Sequence, residues 1–154
     1  MSHDHSAEIT TLNTLTATLI DSVNGFENSA KDLDSDQFRQ IFRQRADERQ
    51  QAVELLRTEV RRLGGDPEDG GSTLGNLHQR FEDLKSAITG KDEKAIINEV
   101  ERGEDYLKGK YDTALADTEL SAETQAVIRE AYQSVRAGHD RASALKHGMQ
   151  ATSH

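Results

Sequence analysis

The chain has 154 residues, no cysteine and a formal net charge of -9 at pH 7. This length fits one domain with a single core. The lack of cysteine excludes disulfides and thiolate chemistry, and the negative charge disfavours nucleic acid and anionic membrane surfaces as partners. Helix-forming residues outnumber strand-forming ones, so the composition predicts an all-α protein.

Apolar residues recur with helical periodicity in five segments that are separated by polar or glycine-rich turns. The periodicity predicts helices over about residues 6–32, 36–63, 73–89, 93–117 and 121–147. Asp34-Ser35-Asp36 is a turn and N-cap signal before the second helix, and Gly64-Gly65 predicts its left-handed end. Asp92 and Ser121 are the expected N-caps of the last two helices.

The order and length of these helices predict a topology. Two hairpins with tight turns, near about residues 33–35 and 117–121, are joined by one long connection that contains the short helix. The connection begins with GGDPEDGGS, which is a loop and not a domain boundary. The sequence therefore predicts a single domain over residues 1–154, a ferritin-like four-helix bundle with one long crossover that contains an extra short helix.

The sequence also limits the expected location and the expected partners of the protein. No apolar run approaches the roughly 20 residues needed to span a bilayer, and the first residues, MSHDHSAEITTL, lack the features of a secretory signal. We therefore expect a cytoplasmic protein with no membrane partner. An apolar stripe such as that of the short helix could also be buried against a second copy, so a homodimer is a further expectation.

Four stretches of the sequence carry a resemblance to a known family: NGFENSA, LGGDPEDGGS, ERGED and GHDR. In these stretches the chain resembles a family of small bacterial four-helix-bundle proteins of unknown function, which is grouped with the ferritin-like, rubrerythrin-related fold. The resemblance covers nearly the whole chain. It implies the fold and a bacterial source, and it implies no activity.

Ferritin-like diiron enzymes place a Glu on each of two helices and a Glu-x-x-His on each of the other two. The sequence departs from this pattern twice. Gln51 stands where a histidine should follow Glu48, and Arg136 stands where a glutamate should precede His139 by three residues. A guanidinium at such a site repels a dication and keeps its charge. We therefore do not expect a complete two-metal site.

Five residues are the remaining candidate metal ligands: Glu27, Glu101, Glu104 and His139, with Glu48 as a weaker one. Counting residues from the turns places Glu101 and His139 within roughly 3 Å of each other in height, with Glu27 at a similar height. Glu48 lies roughly 10 Å from Glu27 by the same count. Carboxylates with one imidazole suit iron, manganese or zinc, and iron or manganese is the hypothesis for any cofactor.

A second interpretation is that arginines on the apolar face of the second helix pair with carboxylates in the core. Arg45 and Arg49 project from that face of the second helix, and Glu104 lies near the centre of an apolar stripe. Because a buried charge must be paired, the arginines are the expected partners of Glu104 and Glu48. The leading prediction is a non-enzymatic structural, partner-binding or stress-associated bundle with a degenerate metal site. The alternative is a metal-binding protein with ferroxidase or peroxide-related activity.

Overall fold

A computed structural model of the chain describes residues 5–68, 84–90 and 92–152, and from residue 142 onwards it describes the helical backbone alone. The long helices are α1 (Ser6–Ala30), α2 (Asp36–Arg62), α3 (Glu93–Leu115) and α4 (Ala122–Thr152). Residues 84–89 are also helical, and the rest of the helix predicted over residues 73–89 lies outside the described residues. These described parts of the chain contain no strand, and the predicted all-α class is confirmed.

Side-chain caps define the starts of α2 and α3. The Oγ of Ser35 accepts a hydrogen bond from the Phe38 backbone N–H at 3.3 Å, and Asp92 accepts from two N–H groups at the start of α3. Such acceptors satisfy donors that the first turn of a helix leaves without an intrahelical partner. The helix α1 ends at Ala30, close to the predicted end near residue 32, and α4 continues to Thr152, beyond the predicted end near residue 147.

A left-handed glycine ends α2. Gly64 has a φ of 86°, and the N–H of Gly65 donates back into the last turn at 2.9 Å, as the predicted glycine stop requires. The chain then folds against α1. There Asn13 donates to the Asp66 carbonyl at 3.0 Å and accepts from the Glu68 N–H at 2.9 Å, so the start of the connection is fastened to the first helix.

The four helices form a bundle in which each has two main neighbours. α1 packs on α2 and α3, and α4 packs on the same two helices. The start of α1, the end of α2 and the start of α4 meet where Thr124 Oγ1 bridges Glu8 and Glu59; we call this the Thr124 end. The helices α1 and α4 both start at the Thr124 end, and each is antiparallel to its partner in the hairpin. The helices α2 and α3 therefore run in the same direction, toward the Thr124 end. The connection between them must therefore return along the whole bundle.

Two apolar clusters fill the core along the bundle axis. The cluster at the Thr124 end contains Leu19 and Leu56, and the cluster at the opposite end contains Phe42 together with Leu84 and Ile88 from the connection. The connection has thus reached the opposite end before α3 begins. None of the helices in the described segments is both long and apolar enough to cross a membrane.

Gly64→Ala should lower the free energy of unfolding by about 1 kcal/mol, because an alanine is strained in the left-handed region. Gly109→Ala is the matched control. Gly109 lies within α3, nothing lies within 4 Å of an added Cβ, and alanine should stabilise the helix by about 0.5 to 1 kcal/mol. Urea denaturation measures both changes. Stabilisation by both substitutions would contradict the left-handed end of α2.

Candidate functional site

A layer of buried polar residues separates the two apolar clusters. Ser22 of α1, Arg49 of α2 and Glu104 of α3 each lie where their helix passes from one cluster to the other. The side chains of Arg49 and Glu104 are only 0% and 2% exposed. Removing such charges from water costs several kcal/mol per ion unless they are paired, so this layer has to balance its own charge.

Arg49 and Glu104 form an ion pair in this layer. Arg49 Nη2 donates to Glu104 Oε2, and Arg49 Nη1 donates to Ser22 Oγ at 2.8 Å. The pair spans the diagonal of the bundle, because α2 and α3 are not main neighbours. Hydrogen bonds between charged groups are stronger than those between neutral ones. The predicted pairing of Glu104 with a core arginine is confirmed, and the partner is Arg49.

Gly138 gives this ion pair its space beside α4. A Cβ on residue 138 would collide with Arg49 Nη2 and Glu104 Oε2, and it would stand 3.5 Å from Arg45 Nε. Three charged groups therefore converge on one point of the α4 backbone. Sequence reasoning missed Gly138, although a glycine inside a helical pattern is a signal of close packing.

Arg45 is the second arginine of the layer, and it is 2% exposed. The ion pairs formed within the described residues do not include it. The guanidinium carbons of Arg45 and Arg49 lie 5.7 Å and 6.0 Å from the centre of the Phe26 ring, which offsets part of the cost of burial. Burial lowers the pKa of Arg45, and the Glu104 carboxylate opposes that shift without cancelling it.

The metal ligands predicted from sequence have different surroundings: Glu27, Glu101, Glu104 and His139. Glu27 is exposed and Glu101 is partly buried. Glu104 is engaged by Arg49, and His139 Nε2 lies 2.5 Å from Asp105 Oδ1. Across the part of the chain that the structure describes, no three His, Asp or Glu side chains are grouped so that they could hold a metal ion.

The other residues of the diiron comparison also lie away from the ion pair. Glu48 accepts two hydrogen bonds from Arg141 Nη1, at 2.8 Å and 2.9 Å, so its partner is neither of the expected arginines. Gln51 is exposed. The side chain of Arg136 is 67% exposed and its Nε lies 3.9 Å from Asp140 Oδ2. The guanidinium groups in the core are therefore those of Arg45 and Arg49 and not that of Arg136.

A second polar cluster lies at the Thr124 end. Thr124 Oγ1 lies 2.6 Å from Glu8 Oε2 and 3.0 Å from Glu59 Oε2, and Arg62 donates to both oxygens of Glu59 at 2.6 Å and 2.7 Å. The hydrogen bonds from Arg62 lower the pKa of Glu59 against the opposing effect of burial. Burial acts to raise the pKa of Glu8, but hydrogen bonds from Thr124 and Ser121 outweigh it and lower that pKa.

The sequence profile of a protein family, Domain of unknown function (DUF2383), matches residues 7–117. The chain belongs to this family. The DUF2383 match spans α1, α2 and α3, so it includes Arg45, Arg49 and Glu104 and ends before Gly138. Among curated proteins, none matches the chain.

Glu104→Leu should lower the free energy of unfolding by about 3 to 5 kcal/mol, because it leaves two buried arginines without a carboxylate. Arg49→Met should cost less, since Arg45 stays near Glu104. The double variant should recover part of the loss caused by Glu104→Leu, because apolar side chains of similar volume can replace a buried ion pair and one buried arginine, not two, then lacks a carboxylate. Chemical denaturation of the three variants measures the coupling.

Arg102→Met is the control for this cycle. Arg102 is 61% exposed and pairs with Glu99 at 3.2 Å, so its loss should cost less than about 1 kcal/mol. A double variant that is as unstable as the two single changes added together would contradict the coupling of Arg49 with Glu104.

The lowered pKa values of Glu8 and Glu59 predict that acid destabilises the bundle. Their stabilising effect is fully present above the pKa of an unfolded glutamate, about 4.3, and is lost as the pH falls through the lower pKa values of the folded state. Glu59→Gln should be less stable at neutral pH and less sensitive to acid. Urea midpoints measured from neutral pH downwards test this, with exposed Glu54→Gln as the control. Equal acid sensitivity in both variants would contradict the role of Glu59.

Proposed function

We propose that the protein is a non-enzymatic, ferritin-like four-helix bundle that serves as a structural or partner-binding protein. The observation that carries the proposal is the buried Arg49–Glu104 pair in the middle of the bundle. The ferritin-like assignment is supported by two features of the topology. α2 and α3 run in parallel, and a single long connection joins the two hairpins, as in folds of that class.

The ion pair disfavours a metal ion at the bundle centre. Glu104 is 1% exposed, and one of its oxygens is engaged by Arg49. A dication that approached Glu104 would have to displace a guanidinium that keeps its charge, and it would meet the second positive charge of Arg45 nearby. The guanidinium groups of Arg45 and Arg49 therefore provide the positive charge beside the Glu104 carboxylate that metal ions provide in diiron bundles.

The same pair supports a structural role. Arg49 joins α2 to Glu104 on α3 and to Ser22 on α1, and Gly138 brings α4 against them. A satisfied polar network of this kind favours one relative position of the helices. The bundle then presents rigid outer faces, and its net charge of -9 favours a partner with a basic surface. A bacterial source, a cytoplasmic location and a homodimer stay predictions from the sequence.

The second candidate is a protein that binds iron or manganese and has ferroxidase or peroxide-related activity. The observation in its favour is His139, whose side chain is 23% exposed and has carboxylates near both ring nitrogens, Asp105 at 2.5 Å and Asp140 at 3.4 Å. Imidazole with carboxylates suits such metals. Glu101 or Glu48 would have to complete the set.

Elemental analysis of the untagged protein, expressed with iron, manganese and zinc in the medium, separates the two candidates. Because a structural site would bind its metal stoichiometrically, we expect a protein without such a site to contain less than about a tenth of a metal ion per chain. A stoichiometric metal that is lost in His139→Ala and retained in His5→Ala would overturn the proposal. Oxidation of ferrous iron by the wild type and not by His139→Ala would then assign the activity.

A further inference from the structure

Among the residues that the structure describes, the polar layer contains one more positive charge than negative. Arg45 and Arg49 are both buried, and Glu104 is the carboxylate buried with them. Glu48 also acts on Arg45, but Arg141 does so with the opposite sign and forms two hydrogen bonds with Glu48. A guanidinium does not lose its proton in a protein, so the excess positive charge persists, and an uncompensated buried charge is costly.

Several buried polar atoms in the polar layer, or within one or two helical turns of it, have no hydrogen-bond partner. Within the described residues, Arg45 Nε, Arg49 Nε and Tyr111 Oη have no hydrogen-bond partner, and neither does Ser134 Oγ, one turn before Gly138. Burial raises the pKa of Tyr111, and the charge of Arg49 acts in the opposite direction, so the phenol keeps its proton and is a donor. Because buried polar groups are nearly always satisfied and an arginine Nε–H can only donate, the two arginines lack an acceptor within the described residues.

The Phe26 ring does not supply that acceptor. It lies about 6 Å from both guanidinium carbons, where the quadrupole of the ring attracts a cation. The ring has no net charge, however, and therefore lowers the cost of burial without balancing the excess charge. An internal water would satisfy the donors and would likewise leave the charge unbalanced.

We propose that the polar layer binds one small monovalent anion at the guanidinium of Arg45, whose Nε has no hydrogen-bond partner within the described residues. A single negative charge balances Arg45, Arg49 and Glu104 together, whereas a divalent anion would reverse the imbalance. A close-packed core admits an ion of the size of chloride more readily than a sulfate or a phosphate. The probe for the site is chloride, with bromide as its heavier equivalent.

The first test measures the Tm of the wild type while chloride replaces gluconate at constant ionic strength. Gluconate is too large for the buried layer, so the native state should gain a ligand only as chloride rises. We expect a saturable increase of about 4 °C, the shift that binding to the native state alone produces in a domain of this size. A Tm that does not change with chloride would overturn the proposal.

Two variants separate the buried arginine from general salt effects. Arg45→Met removes the excess charge, so its Tm should not depend on chloride and should equal or exceed that of the wild type in gluconate. Arg61→Met removes the same charge from an exposed position of α2 and should keep the chloride dependence. If Arg45→Met is destabilised equally in both salts and the wild type shows no chloride effect, Phe26 alone accommodates the guanidinium and the proposal fails.

Anomalous diffraction from crystals of the full chain grown in bromide locates the ion. We expect one peak within hydrogen-bond distance of Arg45 that is absent from Arg45→Met. A peak at the protein surface only would identify an adventitious ion and overturn the assignment to the polar layer.

Discussion

Everything in the middle of this bundle depends on the cost of removing Arg49 and Glu104 from water. An ion in the core is tolerated only with good geometry and further hydrogen bonds, and these requirements recruit the other helices. Ser22 provides an acceptor from α1, and α4 approaches with a glycine because any side chain there would occupy the position of the pair. One electrostatic constraint thus specifies a residue type on each of the four helices.

The two apolar clusters and the polar layer stabilise the bundle in different ways. Apolar burial at both ends of the bundle supplies the non-directional driving force, and it tolerates small shifts of one helix along another. Hydrogen bonds in the layer do not tolerate such shifts, because their geometry is directional. The cluster of Glu8, Glu59 and Thr124 applies the same constraint at one end of the bundle. These hydrogen bonds therefore fix α1 and α2 at two heights and α3 and α4 at one height each, while apolar contacts hold all four helices together.

Sequence reasoning found the features that depend on one helix at a time. Capping residues such as Asp92 and the glycine stop at Gly64 are local, and the inward direction of Arg49 and Glu104 follows from their position relative to an apolar stripe. Which groups meet across helices depends on rotation and axial shift, which the packing of side chains decides. The pairing of Glu48 with Arg141 was missed for this reason.

The comparison with diiron proteins was limited for the same reason. It identified positions that would meet at the bundle axis only if the helices of this chain had the same rotation as those of a metal-binding bundle. Arg136 was expected to bring a guanidinium to that centre, but it is exposed, and both guanidinium groups in the core come from α2. Residue identity at matched positions therefore did not predict which side chains face the axis here, because helix rotation had to be known first.

The ion pair joins residues 55 positions apart in the chain, and its two partners belong to different hairpins. The α1–α2 hairpin carries the buried arginines, and the α3–α4 hairpin carries the glutamate. Contacts within a hairpin are local and generally form faster than contacts between hairpins, but in the polar layer each hairpin alone leaves its charge without a partner. In the polar layer, docking of the two halves therefore brings opposite charges together in the same step that removes them from water.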